Sequence, residues 1–254
     1  MQRNLNSLSG FHMGATDGEI GKVKDFYFDD ESWTIRYLVV KTGNWLSDKK
    51  VLISPTSIGI PNFEEKIFPT SLTTDQIKNS PDIDTDMPVS RQHETDLNRY
   101  YSWPQYWGAG FYGGTVAGMA TPMPAEKRDD HDYGTGSATG NDQHLHSADE
   151  VEGYKIHAID GEIGKVKDFI VDDQTWQIRF LVVDTGNWLN GKSVLISPTW
   201  IREVQWDNSA VVADLTEEAI RNSPEYDELN PLDHIYERRL YDYYERQHEP
   251  HHHH

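Results

Sequence analysis

Apolar and polar side chains alternate from Trp33 through Thr34, Ile35, Arg36 and Tyr37, after which Leu38, Val39 and Val40 make both phases apolar. A period of two carried by β-branched and aromatic residues predicts a strand, buried on one face at its start and on both at its end. Residues 176–183 repeat it. Residues 22–28 read as an earlier strand, and Asp29-Asp30-Glu31-Ser32 between the two is a turn-forming cluster, so a hairpin is predicted. Thr42-Gly43-Asn44 predicts the next turn, and residues 51–54 a short strand ended by Pro55. Residues 201–206 and 210–213 flank Asp207-Asn208-Ser209 as a further hairpin. Helical signals are few. Thr73 and Gln76 fit a capping box, and Thr216-Glu217-Glu218 puts acid at a helix start. Asn230-Pro231 predicts an N-cap and first-turn proline, with Leu232, Ile235, Tyr236, Leu240 and Tyr243 on one stripe behind them. The equivalent residues 88–101 carry fewer apolar side chains and predict a less well docked helix.

These patterns come in two copies. DGEIGKVKDF at residues 17–26 recurs letter for letter at 160–169, and residues 17–58 share 31 of 42 positions with 160–201. Weaker matches follow at Asn79-Ser80-Pro81 with Asn222-Ser223-Pro224, and at Tyr100-Tyr101 with Tyr243-Tyr244. The repeating unit is therefore read as residues 10–101 and 153–244. Residues 102–152 have no counterpart. They pass from an aromatic and glycine stretch, WPQYWGAGFYGG, to a polar run too poor in apolar surface to offset ordering entropy, and read as a linker. Five or six short strands and a terminal helix in each unit predict a small barrel or rolled sheet.

DGEIGKVKDF, then DD-x-x-W-x-IR-x-LVV, TGNWL, VLISP and finally LT with NSP, resembles the PRC-barrel family over roughly residues 8–81 and 151–224. The resemblance implies a mainly β chain of two small PRC-type barrels in tandem, and the helical signals above, outside the resemblance, add to each a short C-terminal helix and a helical extension. Barrels are expected at residues 1–87 and 151–229, a helical extension at 88–103, a flexible linker at 104–150, an amphipathic helix at 230–247 and a histidine-rich tail at 248–254. It also implies a non-enzymatic adaptor with no shared catalytic residues, similar to bacterial double-barrel proteins of which some are linked to stress responses. The partner would be an unidentified protein.

Composition narrows this further. The chain carries 42 Asp and Glu against 23 Lys and Arg, a formal net charge of -19, which repels phosphate backbones and argues against a nucleic-acid partner. The absence of cysteine excludes disulfides and thiolate metal sites. No run approaches the ~20 apolar residues that cross a bilayer, and no signal peptide is apparent, so no membrane insertion and a cytoplasmic location are expected.

The motifs with chemical meaning are weak. Residues 186–193 match the phosphate-cradling pattern GxxxxGK[ST], but a strand follows where a helix is required, and the first unit has Asp48-Lys49-Lys50 there. GxGxxG at residues 108–113 lies in the linker with no strand before it. Asp82, Asp84 and Asp86 have the spacing of calcium ligands, but Met87 and His93 stand where that loop needs Gly and Glu. Asp25 with Asp168, and the paired aspartates after them, lack a neighbouring nucleophile. No catalytic residue, cofactor or metal is assigned. Trp45 and Trp188 in the TGNWL loops read either as interface anchors or as indoles folded over the barrel mouth. Arg36 and Arg179, cations within an apolar strand, require a carboxylate or backbone partner, or contact a partner protein. Like surfaces on the two units favour pairing about a two-fold axis. A linker spanning about 35 to 42 Å lets them meet within one chain.

Overall fold

The computed structural model describes residues 1–82, 89–107, 144–186, 191–230 and 232–248. The chain enters through a short strand, β1 (Gln2–Asn4), and then builds a first sheet from β2 (His12–Gly14), β3 (Glu19–Asp29), β4 (Thr34–Thr42), β5 (Lys50–Ile53) and β6 (Ile67–Pro69). These lie in the order β5-β4-β3-β2-β6, antiparallel except for β2 with β6. The predicted hairpin joins β3 to β4. The capping box is present at Thr73 and Gln76 and opens α1 (Thr74–Lys78). A second helix, α2 (Arg91–Tyr101), is capped by Ser90.

The second sheet repeats the arrangement. After β7 (Leu145–Ser147) and α3 (Ala148–Val151) come β8 (Lys155–Ala158), β9 (Gly161–Asp172), β10 (Ile178–Asp184), β11 (Ser193–Ile196), β12 (Ile201–Gln205) and β13 (Ala210–Ala213). Their order is β11-β10-β9-β8-β13-β12, with β13 parallel to β8. Then come α4 (Glu217–Arg221) and α5 (His234–His248). Gly21 and Gly164 sit where β3 and β9 press against β4 and β10, so that a Cβ there would strike the carbonyls of Lys41 and Asp184. This accounts for the glycine inside a repeated strand motif.

The two short strands outside the repeats cross over. β1 pairs antiparallel with the end of β9, matching Gln2 to Asp172 and Asn4 to Ile170. β7 pairs in the same way with the end of β3, matching Tyr27 to Ser147 and Asp29 to Leu145. Each unit's leading strand therefore completes the other unit's sheet. Between the units, Ile35 N donates to Trp176 O at 2.8 Å and Ile178 N to Trp33 O at 2.7 Å. Phe28 meets Phe169 at 5.7 Å, and one continuous apolar core runs through both sheets.

Several expectations change. Among the described residues neither sheet closes on itself by strand pairing, because Pro55 and Pro198 end β5 and β11 and a 3-10 turn carries the chain off the ladder. Residues 144–150, read as linker, instead form an element whose Leu145 and Ala148 are buried on the first sheet. The helix expected from Asn230 begins three residues later. Asp233 caps it, accepting from Tyr236 N at 2.7 Å, while Asn230 turns to Asp227. Of its proposed stripe, Leu240 is buried and Leu232, Tyr236 and Tyr243 pack against the core, while Ile235 is 80% exposed. Its counterpart α2 also docks, but through Glu94, Leu97 and Asn98, two of them polar.

Candidate functional site

Asp25 and Asp168, equivalent in the two copies, are the sockets that receive the exchanged segments. Asp25 accepts from its neighbour Phe26 N at 2.7 Å, from Asp149 N at 3.1 Å and from Ser147 Oγ. Asp168 accepts from Phe169 N at 2.7 Å, Asn6 N at 3.1 Å and Asn4 Nδ2 at 3.1 Å. The hairpin aspartates add a second clasp. His146 Nε2 lies 3.0 Å from Asp30, and at the equivalent place Arg3 Nε lies 2.7 Å from Asp173, which also binds the amino terminus at 3.0 Å. Burial pushes the Asp25 carboxyl up to about 6 against the help of Ser147. Burial, then the charges of Asp168 and Asp149, pushes Glu152 up to about 7. Asp168 is raised and His146 lowered, both chiefly by burial.

Arg36 finds its carboxylate in Asp29 at 2.6 Å, and its guanidinium lies over the Tyr106 ring at 4.0 Å. Arg179 reaches Glu237 at 3.4 Å. Trp45 folds back so that its indole donates to Ile20 O at 2.9 Å, yet it remains 39% exposed. Trp188 lies outside the described residues, as do residues 108–113, Asp84, Asp86 and the terminal histidines. Lys192 of the phosphate-loop match donates to Arg221 O at 3.0 Å and Ser223 O at 2.6 Å, so its ammonium serves the end of α4. Among the described residues no three His, Asp or Glu side chains converge as metal ligands.

Two related clefts lie where the units meet. Each is walled by the start of β4 or β10, the Ser-Pro-Thr turn after β5 or β11, and the hairpin turn of the other unit. The first, of about 920 Å³, includes Arg36, Tyr37, Phe63, Asn98, Tyr106 and Trp176 in its lining. The second, of about 640 Å³, is lined at equivalent or neighbouring positions by Glu31, Trp33, Arg179, Arg202, Glu203 and Tyr241. The wall of the first is fixed from behind by Glu94, whose exposure is 0%. Glu94 accepts from Tyr37 OH at 3.1 Å and from Tyr106 OH, and lies 2.6 Å from His144 Nε2. Sequence reasoning missed this network and the sockets. The only visible signal was the repetition of Asp25 and Asp30 as Asp168 and Asp173.

A family model of the PRC-barrel domain matches residues 13–76 and 144–220, together more than half of the chain. A protein of Deinococcus radiodurans described as uncharacterized is 32% identical over 97 residues. That match covers 36% of this chain and 35% of the relative, so the chain spans about a third of the relative's length.

Proposed function

Since the chain belongs to the PRC-barrel domain family, as the paired matches at residues 13–76 and 144–220 establish, we propose that it is a non-enzymatic interaction module. On this reading its two units act as one intramolecular pair, work in the cytoplasm and engage a protein rather than a nucleic acid. The observation that carries it is the reciprocal exchange of β1 and β7, which fixes the hairpin turns of both units side by side and so shapes the clefts between them. The charged side chains singled out by sequence are engaged within the chain. Arg36 and Arg179 are occupied by carboxylates and Lys192 by carbonyls. A bacterial stress-response setting belongs to this proposal.

The test is crosslinking of the full chain at native level in its source cells, followed by mass spectrometry. Reproducible crosslinks from cleft-facing residues to a single protein are expected. Loss of every protein crosslink under both resting and stressed growth overturns the reading. A second reading, a small-molecule or metal-cation binder using the acidic surface or the groove between the barrels, is favoured by the 920 Å³ of the first cleft, which lies within the size range of ligand pockets. Thermal-shift screening against metabolites and cations separates the two.

A further inference from the structure

A row of basic side chains crosses the exposed face of the first sheet. His12 of β2 pairs in register with Lys22 of β3, Lys22 with Lys41 of β4, and Lys41 with Lys50 of β5, and all four are exposed. Lys24 stands beside the row at a bulge in β3. Like charges directly opposite on neighbouring strands are destabilising. The second unit relieves the same row from within. Its equivalents are Lys155, Lys165, Asp184 and Ser193, so an aspartate stands opposite Lys165, while Glu162 holds Lys155 at 3.4 Å and Glu228 holds Lys167 at 3.0 Å. The first unit lacks that relief. Glu19 is bound by His12, and among the described residues Lys22, Lys24, Lys41 and the neighbouring Asp48 form no ion pair.

The surroundings of the row define the anion that would complete it. Lys22, Lys24, Lys41 and Trp45 line one recess of about 330 Å³, which shares no residue with either inter-unit cleft. The Trp45 indole has its N–H committed to Ile20 O, so its 39% exposed ring offers apolar contact alone. Neighbouring strands lie about 4.8 Å apart, and residues three or four apart on a helix advance by about 4.5 to 6 Å. Carboxylates at that helical spacing therefore match lysines on successive strands. A long polyanion fits poorly, because a net charge of -19 repels whatever extends beyond the patch. At physiological ionic strength charges act over only about 8 Å, so a short acidic segment feels chiefly the lysines.

Building on the interaction-module reading, we infer that the lysine row of the first unit, and not its counterpart in the second, docks an acidic helical segment of a partner protein, laid across the strands with an apolar side chain against Trp45. The probe is a capped alanine-based peptide of about 16 residues, long enough to be helical, with glutamates three or four residues apart and one leucine beside them. It is titrated into the full chain and followed by nuclear magnetic resonance. Saturable shifts are expected at Lys22, Lys24, Lys41 and the Trp45 indole, and they should weaken as salt is added. Lys41→Asp, which installs the residue of the second unit and relieves the repulsion between strands, should fold as well as wild type and bind about tenfold or more weakly, equivalent to ~1.4 kcal/mol. Lys22→Gln should weaken binding in the same direction, whereas Lys165→Gln in the second unit should leave it unchanged. Absence of saturable shifts at millimolar probe, equal binding by Lys41→Asp, or equal binding of an isomer whose glutamates are two residues apart overturns the inference. Saturable binding of phosphatidylserine vesicles or of a DNA duplex at these lysines, in place of the peptide, also overturns it. If the probe fails while wild type and Lys41→Asp both retain the crosslinked partner, the interaction reading stands and this surface is removed from it. If wild type captures no partner, the interaction reading falls and the docking assignment falls with it.

Discussion

Asp25 sits two hydrogen bonds deep in the segment that arrives from the other half of the chain, and Asp168 does the same on the opposite side. A carboxylate so placed is stabilised by its donors and penalised by burial, and for both residues burial is the larger effect. A group whose folded pKa exceeds its unfolded value stabilises fully below the unfolded value and loses that contribution as pH rises through the folded one. For Asp25 the window runs from 3.8 to about 6, and for Glu152 from 4.5 to about 7. His146, lowered by burial, acts in the opposite sense: its contribution is present above 6.5 and lost as pH falls. Comparing wild type with the Asp25→Asn, Glu152→Gln double variant isolates the carboxyls. In urea titrations wild type should gain on that variant by roughly 1 to 2 kcal/mol between pH 7.5 and 5.5, allowing for partial exposure. A constant difference would show that these carboxyls do not feel the interlock. At Lys192 the ammonium tethers the end of α4, so Lys192→Ala should cost about 0.5 to 1 kcal/mol in the same titration. Calorimetry with Mg-ATP should give no heat of binding for either protein, and saturable binding lost in the variant would restore the phosphate-loop reading.

At the scale of elements, the leading strands act on the sheet of the opposite unit. Deleting residues 1–8 removes β1 and two of the three donors to Asp168, all of which serve the second sheet. Hydrogen exchange on the truncated chain should therefore speed up first in β9 and β10, about 160 residues away in sequence, and leave β3 protected. Faster exchange confined to β2 and β3 would contradict the crossover. The strands themselves were legible because period two and identical letters marked them twice. The exchanged segments were not, since residues 2–8 and 145–151 share no residue at equivalent positions. Their likeness is functional. Asn4 and Ser147 both donate to a carboxylate, and Arg3 and His146 both face an aspartate. Self-similarity detects letters, and a hydrogen-bond role can pass between unlike side chains. The cap at Asp233 was missed for a related reason, since Asn and Asp are both good N-caps and only the tertiary fit of α5 chooses between them. Trp33 and Trp176 read as ordinary strand positions, yet both adopt left-handed backbone, with φ of 53° and 61°. Their carbonyls are held by the facing unit, a tertiary constraint that local pattern does not carry.

For the molecule as a whole, the two sheets share a core and trade strands, so neither half has a complete sheet in the other's absence. The units meet through reciprocal backbone bonds at Ile35 and Ile178, through Phe28 on Phe169, and through Phe68 on Trp176 at 5.8 Å. The two clefts exist only while that arrangement holds, since each takes its far wall from the other unit. The interlock is therefore the central claim, and severing the covalent link between the units tests it most directly. A site for a sequence-specific protease, inserted between Gly134 and Thr135, allows the purified chain to be cut once without denaturant. Size exclusion with light scattering at micromolar concentration should then return a single species of about the intact mass, 29.2 kDa, that contains both fragments. Two separate peaks of half that mass, each folded by circular dichroism, would contradict it.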